Sequence, residues 1–154
     1  PGGDWETLAP LGSATLRRLR YSARLSAYVA VGDQGTLSMT SDGVDWMARG
    51  PGTVERLYDF SESPEWFVAI SLNRAFVSAD TSTWTAVTTG GQNQNSLTYA
   101  NGQFALGAGN PVTLQVSEDG LVWRDRSVGA QHLTGLNFFK GSFYAVGASG
   151  MILQ

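Results

Sequence analysis

The sequence has no cysteine and little charge. Its 154 residues include one Lys and one His, only 15% are charged, and the formal net charge is −3. Without Cys there is no disulfide, thiolate metal site or cysteine nucleophile, and a single His cannot supply a histidine cluster for zinc. Scarce Glu, Lys and Arg argue against solvated helical bundles and coiled coils. An acidic chain is a poor binder of nucleic-acid phosphates, and no apolar run approaches the roughly 18 residues of a membrane span. The sequence therefore predicts no cofactor, no metal, no nucleic-acid partner and no membrane insertion.

The chain is rich in glycine and in apolar residues. It contains 19 Gly, and 42% of its residues are hydrophobic, with 11% aromatic. This composition favours one domain over residues 1–154 with a substantial core. The sequence opens at Pro1 and runs at once through Gly and Asp to Trp5. We therefore expect it to be a domain excised from a longer protein, with further domains of the parent chain as neighbours.

A short pattern recurs along the chain. Each copy reads Ser or Thr, any residue, Asp, three residues and then Trp, and the Trp residues lie 38 and 39 residues apart. A fourth Trp lies 41 residues before the Trp of the first copy. Repetition at this period is the sequence signature of a repeat architecture. The pattern residues are Thr40, Asp42, Gly43 and Trp46; Ser78, Asp80 and Trp84; Ser117, Asp119, Gly120 and Trp123; and Trp5.

Each repeat contains four strand-length segments separated by Gly, Asn, Asp and Ser. The first segments are centred on Leu19, Leu57, Leu97 and Leu136. Short connections favour antiparallel neighbours, and a four-stranded antiparallel unit of about 39 residues is typical of a β-propeller blade. Residues 14–25 also show near-helical apolar spacing, but the repeat favours a strand there. We predict an all-β fold, a small propeller of four blades.

The strands of the repeat that lie at the two ends of the sequence indicate how the ring closes. The chain begins with a fourth strand, 5–9, and ends after the third strand of its last unit. The N-terminal strand is expected to close the last blade, which protects two sheet edges. Two alternatives stand beside closure within one chain. In the first, the ends are cut points in a larger propeller that continues in the parent protein; in the second, two chains share blades in one larger ring.

The repeated windows resemble Asp-box (BNR) repeats of the sialidase-like propeller superfamily. The usual pattern of that family is Ser/Thr-x-Asp-x-Gly-x-Thr-Trp, and here one residue fewer separates the Ser from the Trp. In such a turn the Asp accepts hydrogen bonds from backbone N–H groups ahead of it, Gly43 and Gly120 supply a positive φ, and the Trp packs between blades. The box residues are thus expected to be structural, not catalytic.

The resemblance also defines what an enzyme would need. A sialidase-type site joins three Arg, a Tyr nucleophile with a Glu partner, and an Asp acid. Arg18, Arg20 and Arg56 lie in segments predicted to face the channel, with Tyr58 beside Arg56. They are the candidate ligand-binding residues, and the alternative is that their guanidinium groups pair with carboxylates such as Glu55 or Asp59. No catalytic residue can be assigned.

The expected function is a non-catalytic binding or scaffold domain of a larger extracellular or virion protein. The resemblance implies this setting, and phage tail and adhesin proteins are the subclass it favours. Rigid blades would hold loops that recognise a glycan or a protein partner, and an oligomer of the domain is compatible with this role. The alternative is a fragment of a sialidase-like glycoside hydrolase.

Overall fold

The computed structural model describes residue 4 and residues 6–109, 112–126 and 132–154. Within those ranges the chain is almost entirely β-structure, and its helical content is one 3-10 turn at Ala148–Gly150. No helix in the described ranges has the length and apolarity needed to span a membrane. The all-β prediction is confirmed, and Trp5 lies outside the described residues.

In the described ranges, fifteen strands form four antiparallel sheets in chain order, arranged as a four-bladed propeller. Blade 1 holds β1 (Leu16–Ser22), β2 (Ala27–Gly32), β3 (Leu37–Thr40) and β4 (Met47–Ala48). Blade 2 holds β5 (Asp59–Glu62), β6 (Phe67–Ile70), β7 (Arg74–Ser78) and β8 (Thr85–Thr88). Blade 3 holds β9 (Ser96–Ala100), β10 (Gln103–Gly109), β11 (Val112–Ser117) and β12 (Arg124–Arg126). Blade 4 holds β13 (Leu133–Phe139), β14 (Ser142–Gly147) and β15 (Ile152–Leu153).

The first strand of blade 2 differs from the prediction. It was expected to centre on Leu57, whereas β5 starts at Asp59 and places Phe60 opposite Ala69, just as Leu19 lies opposite Ala30 in blade 1. Leu57 instead lies in the connection between the blades, where its N–H donates to the carbonyl of Gly32 at 2.9 Å. Its side chain is fully buried, so an apolar connector residue occupies the core where the sequence pattern indicated a strand.

Each blade has two faces because successive side chains of a strand point to opposite sides. We call the side that packs on the following blade the forward face and the other the backward face. The forward face of blade 1 packs on the backward face of blade 2 in one core cluster. The forward face of blade 2 packs on the backward face of blade 3 in a second core cluster. The first cluster contains Val29, Val31, Leu37 and Met39 of blade 1 with Phe60, Phe67, Ala69 and Phe76 of blade 2.

Blade 4 has three strands in the described part of the chain. The expected partner for its edge, the segment 5–9, shows no strand at residues 6–9, and these four residues are exposed. The last strand, β15, is only two residues long, so it offers a short edge to a fourth strand. Among the described residues, the predicted pairing of the N-terminal segment with blade 4 is therefore not formed.

Candidate functional site

The first strands of three blades border one space near the centre of the structure, which we call the central pocket. Its volume is about 400 Å³. Its walls come from β1, β9 and β13, the innermost strands of blades 1, 3 and 4. The lining residues are Arg18, Leu19, Arg20, Ser96, Thr134, Gly135, Leu136 and Asn137. None of them is a carboxylate or a histidine, so the lining offers hydrogen-bond donors and hydroxyl groups but no acid–base pair.

A buried carboxylate lies beside this pocket. Asp59, the first residue of β5, is fully buried. Its Oδ1 and Oδ2 accept from Nε and Nη2 of Arg20, both at 2.8 Å, in a bidentate pair. Its Oδ2 also accepts from the backbone N–H of Leu97 at 3.0 Å. A buried charge is tolerated only when it is paired and hydrogen-bonded, and these contacts meet that condition for Asp59.

The two arginines of the pocket differ in how firmly they are held. Arg20 donates to both Asp59 oxygens and, at 3.1 Å, to the carbonyl of Leu97. The hydrogen bond to Asp59 raises the pKa of Arg20 although burial opposes it. Arg18 contacts Asp59 only through Nε at 3.4 Å, and its side chain is 44% exposed. The structure therefore fixes Arg20 and leaves most guanidinium donors of Arg18 directed to solvent or a ligand.

Arg56 and Tyr58 lie apart from the central pocket. Nε of Arg56 contacts Oδ1 of Asp33 at 2.9 Å, and the same Asp33 accepts from Arg17 at 2.5 and 3.2 Å. The Arg17 guanidinium lies 5.6 Å from the ring centre of Tyr58. The hydrogen bond with Arg17 is the main reason that the pKa of Asp33 is lowered and that of Arg17 raised. The four candidate residues thus divide into two sites.

The sequence reasoning missed the partner of Arg56. Glu55 was considered for it, but Glu55 accepts from Ser71 Oγ at 2.7 Å and pairs with Arg74 at 3.1 Å. The sequence around Arg56 gives no indication of Asp33, because this residue follows the second strand of blade 1 and is distant in sequence from Arg56. The repeat register could have found it, since the end of one blade's second strand lies near the start of the next blade.

The three Asp turns share one geometry. Oδ1 of Asp42 accepts from the N–H groups of Val44 and Asp45, both at 2.9 Å, and from Thr40 Oγ1 at 2.9 Å. Asp80 and Asp119 accept equivalent bonds from the second and third residues after them and from Ser78 and Ser117. In each turn the residue after the Asp has a positive φ: Gly43, Thr81 and Gly120. The hydrogen bonds of the turns therefore engage all three carboxylates.

The tryptophans that follow the turns differ in their surroundings. Trp84 packs on the core cluster between blades 1 and 2, and its Nε1 donates to the carbonyl of Arg49 in the preceding blade at 2.9 Å. Trp123 packs on the cluster between blades 2 and 3 and donates to the carbonyl of Gly120 at 2.7 Å. Trp46, half-buried, belongs to neither cluster. A tryptophan thus contacts the preceding blade where there is one.

A second, smaller pocket holds carboxylates. It measures about 200 Å³ and borders the turn of blade 3, where Glu118 and Asp119 face the same crevice as Arg124 and Arg126. Asp119 is committed to the backbone of its turn, so the crevice does not contain two free carboxylates of the kind that glycoside hydrolysis requires. Among the described residues, no group of three or more His, Asp or Glu is placed to hold a metal ion.

The chemistry of the central pocket is that of anion and hydroxyl binding. A guanidinium such as that of Arg18 binds carboxylate and phosphate groups through paired N–H donors. Ser96, Thr134 and Asn137 add hydroxyl and amide groups that exchange hydrogen bonds with sugar hydroxyls. Together they suit a small ligand that carries both an anionic group and hydroxyls.

Comparison with known proteins supports the fold. No protein-family model and no curated protein sequence matches the chain. Among solved structures, it is similar to the crystal structure of the computationally designed Ika4 protein, with a TM-score of 0.70 and 16% sequence identity over 99% of this chain and 97% of that one. At this identity the likeness concerns the fold alone: the chain adopts a four-bladed β-propeller-like fold.

Proposed function

We propose that this chain is a non-catalytic binding and scaffold domain of a larger extracellular or virion protein, of the Asp-box type, and that its central pocket binds acidic glycans. The observation that carries the proposal is the contrast between two arginines. Arg20 is held by Asp59, while Arg18 offers its donors beside Ser96, Thr134 and Asn137. Such a pocket provides recognition without the acid–base groups that turnover needs.

The repeated turns support the Asp-box part of the proposal. In three successive blades a Ser or Thr hydroxyl and an Asp carboxylate hold the same hairpin, and the tryptophan follows at the same distance. Turns fixed in this way give a rigid frame in which the inner strands keep their positions. A rigid frame lowers the ordering cost of ligand binding. Recognition of a protein through the loops is the second form of the same binding role.

The test is a glycan array followed by titration calorimetry with an acidic and a neutral glycan of equal size. We expect retention of carboxylated glycans and an affinity loss of at least about tenfold in Arg18→Ala. The matched control is Arg49→Ala, which removes an exposed positive charge outside the pocket. Equal binding by the two variants would contradict the assignment of the pocket.

The enzyme alternative is tested with the same protein. A fluorogenic glycoside of the best-retained sugar is incubated with the chain, and free fluorophore is measured over hours. A binding domain retains the sugar without releasing fluorophore. Turnover that disappears in Tyr58→Phe or Glu118→Gln would instead favour the glycoside hydrolase fragment.

A further inference from the structure

The blade faces at the two ends of the series are open in the single chain. The backward face of blade 1 carries Tyr21 and Tyr28, which are 59% and 48% exposed. The forward face of blade 4 carries Val146 and Ile152, which are 45% and 72% exposed. Adjacent large apolar side chains that are exposed in this way mark an interaction surface.

The repeat shows what each open face would contact. Tyr28 lies opposite Thr40, the first residue of its turn, just as Phe67 lies opposite Ser78 and Phe104 opposite Ser117. Phe67 and Phe104 are buried against the preceding blade. Tyr28 therefore occupies a position that is a core position in the two blades that follow.

The same holds at the other end. Val146 pairs with Ile152 in blade 4, just as Val31 pairs with Leu37 in blade 1. Val31 and Leu37 are fully buried against the following blade. The two open faces are thus the two complementary halves of an interface that the chain already forms between blades 1 and 2 and between blades 2 and 3.

The turn of blade 1 lacks the neighbour that the turn of blade 3 has. A Cβ on Gly120 would lie 2.6 Å from Val68 Cγ2 of the preceding blade, whereas a Cβ on Gly43 would meet nothing within 4 Å. Trp46 likewise lies outside the core clusters that contain Trp84 and Trp123. One blade placed behind blade 1 would give both residues their equivalent contacts.

The edge of β15 and the N-terminal segment point to the same neighbour. In blade 1, Met47 pairs with Met39 and Ala48 with Ser38. By the repeat register, Thr7 corresponds to Ala48 and Leu153 to Ser38. Residues 6–9 form no strand and are exposed, and the edge of β15 has no fourth strand among the described residues. The missing pairing is therefore one between Thr7 and Leu153.

We infer that a second copy of this chain covers both faces, so that two chains close one eight-bladed ring. Each chain has one backward and one forward face, so two copies related by a twofold axis satisfy all four faces with two identical interfaces. Eight blades lie within the usual range of propellers. The side chains named on the two faces are uncharged, so none of them meets a like charge across the contact. The N-terminal segment of each chain supplies the fourth strand to blade 4 of the other.

The first test measures the mass of the particle by light scattering after gel filtration. We expect twice the chain mass up to and above about 100 μM, a concentration at which a micromolar interface is occupied. A monomer throughout this range, or an open series of larger species, overturns the inference. The control for solubility is Val54→Glu, which charges a residue 89% exposed in the connection between blades 1 and 2 and should leave the dimer intact.

The second test blocks each face separately. Tyr28→Glu and Ile152→Lys both alter exposed side chains, so the chain should still fold, which circular dichroism checks. Each variant alone is expected to be monomeric, because both interfaces of the ring contain one damaged face. An equimolar mixture should recover a dimer, since one interface is then undamaged and the other opposes Glu to Lys. A dimer in either single variant, or no recovery in the mixture, contradicts the pairing of a backward with a forward face.

The third test distinguishes exchange between chains from closure within one chain. The protein contains no Cys, so introduced thiols are the only ones present. Thr7→Cys and Leu153→Cys are made in separate chains, mixed and oxidised. We expect a covalent heterodimer on non-reducing gels that Thr7→Cys mixed with Val54→Cys does not give. Absence of that band, together with an internal disulfide when both thiols are placed in one chain, would show a closed four-bladed ring instead.

Discussion

Gly120 of blade 3 packs so closely on Val68 of blade 2 that position 120 has no room for a side chain. A Cβ at Gly120 would lie 2.6 Å from Val68 Cγ2 and 3.2 Å from Val77 Cγ2. Gly102 has the same φ of +76°, but a Cβ there would meet nothing within 4 Å. These two glycines separate the effect of backbone strain from that of steric contact.

We therefore expect Gly120→Ala to destabilise the protein more than Gly102→Ala. Both substitutions place a side chain at a positive φ, which costs about 1 kcal/mol. Only Gly120→Ala adds an overpacked contact, worth about 1–3 kcal/mol. Urea denaturation of the two variants measures the difference, and equal midpoints would mean that the turn of blade 3 does not pack on blade 2.

The two arginines of the central pocket should respond differently to replacement by Met. Arg20→Met leaves Asp59 buried without its bidentate partner, and the free energy of unfolding should fall by about 3 kcal/mol. Arg18→Met removes one longer contact of a half-exposed side chain, so the loss should stay below about 1 kcal/mol. Thermal unfolding at neutral pH checks the order, and a larger loss for Arg18→Met would reverse their assigned roles.

Stability should decrease in acid because of the Asp turns. Backbone hydrogen bonds from Val44 and Asp45 lower the pKa of Asp42, and those from Thr83 and Ser82 lower that of Asp80. Burial opposes the shift at Asp119, but the turn hydrogen bonds outweigh it and the pKa is again lowered. A lowered pKa favours the ionised carboxylate in the folded state. This stabilisation is complete above the ordinary value of 3.8 and is lost as the pH falls through the lower folded-state pKa.

Urea midpoints measured between pH 7 and pH 2 should therefore stay level down to about pH 5 and then decrease below about pH 4. Asp42→Asn keeps a carbonyl oxygen in the turn but cannot ionise, so its acid dependence should be weaker. Asp45→Asn is the matched control, because the backbone N–H of Asp45, not its carboxylate, takes part in the turn. Identical pH profiles for Asp42→Asn and the parent chain would exclude the turn carboxylate as a source of acid sensitivity.

Trp84→Phe tests a hydrogen bond that joins two blades. The substitution keeps an aromatic ring on the core cluster but removes the Nε1–H, which donates to the Arg49 carbonyl at 2.9 Å and to the Thr81 carbonyl of its own turn at 3.3 Å. We expect a loss of about 1 kcal/mol. Trp66→Phe is the control, since Trp66 packs on the other cluster and its indole donates no hydrogen bond within the described ranges. A similar loss in both variants would attribute the effect to ring size.

The fold could be predicted because the residues that define each repeat lie close together in the sequence. The Asp turn and the Trp recur at nearly constant spacing, and each blade's strands follow one another in chain order, so the four-bladed arrangement follows from local pairing. The strand at Leu16–Ser22 is an instance: its spacing was ambiguous between helix and strand, and the repeat register decided it correctly.

The candidate site was less predictable because its contacts join residues far apart in sequence. Arg20 meets Asp59 and the carbonyl of Leu97, which lie in the next two blades. The sequence placed Arg56 with Arg18 and Arg20 on the channel side, but a one-residue difference in where a strand begins decides which way a side chain points. The prediction for Leu57 was wrong for a different reason, because an apolar connector cannot be distinguished from an apolar strand by composition.

The position of Asp59 has a consequence for how the molecule unfolds. This one carboxylate belongs to the second blade, is held by Arg20 of the first and accepts from the Leu97 amide of the third. Repeat proteins commonly unfold unit by unit, since each repeat touches only its neighbours. Here unfolding of blade 1 alone would remove the guanidinium partner of Asp59, and unfolding of blade 3 alone would remove the Leu97 amide. Partial unfolding therefore costs free energy, and the three blades should unfold in a single cooperative transition.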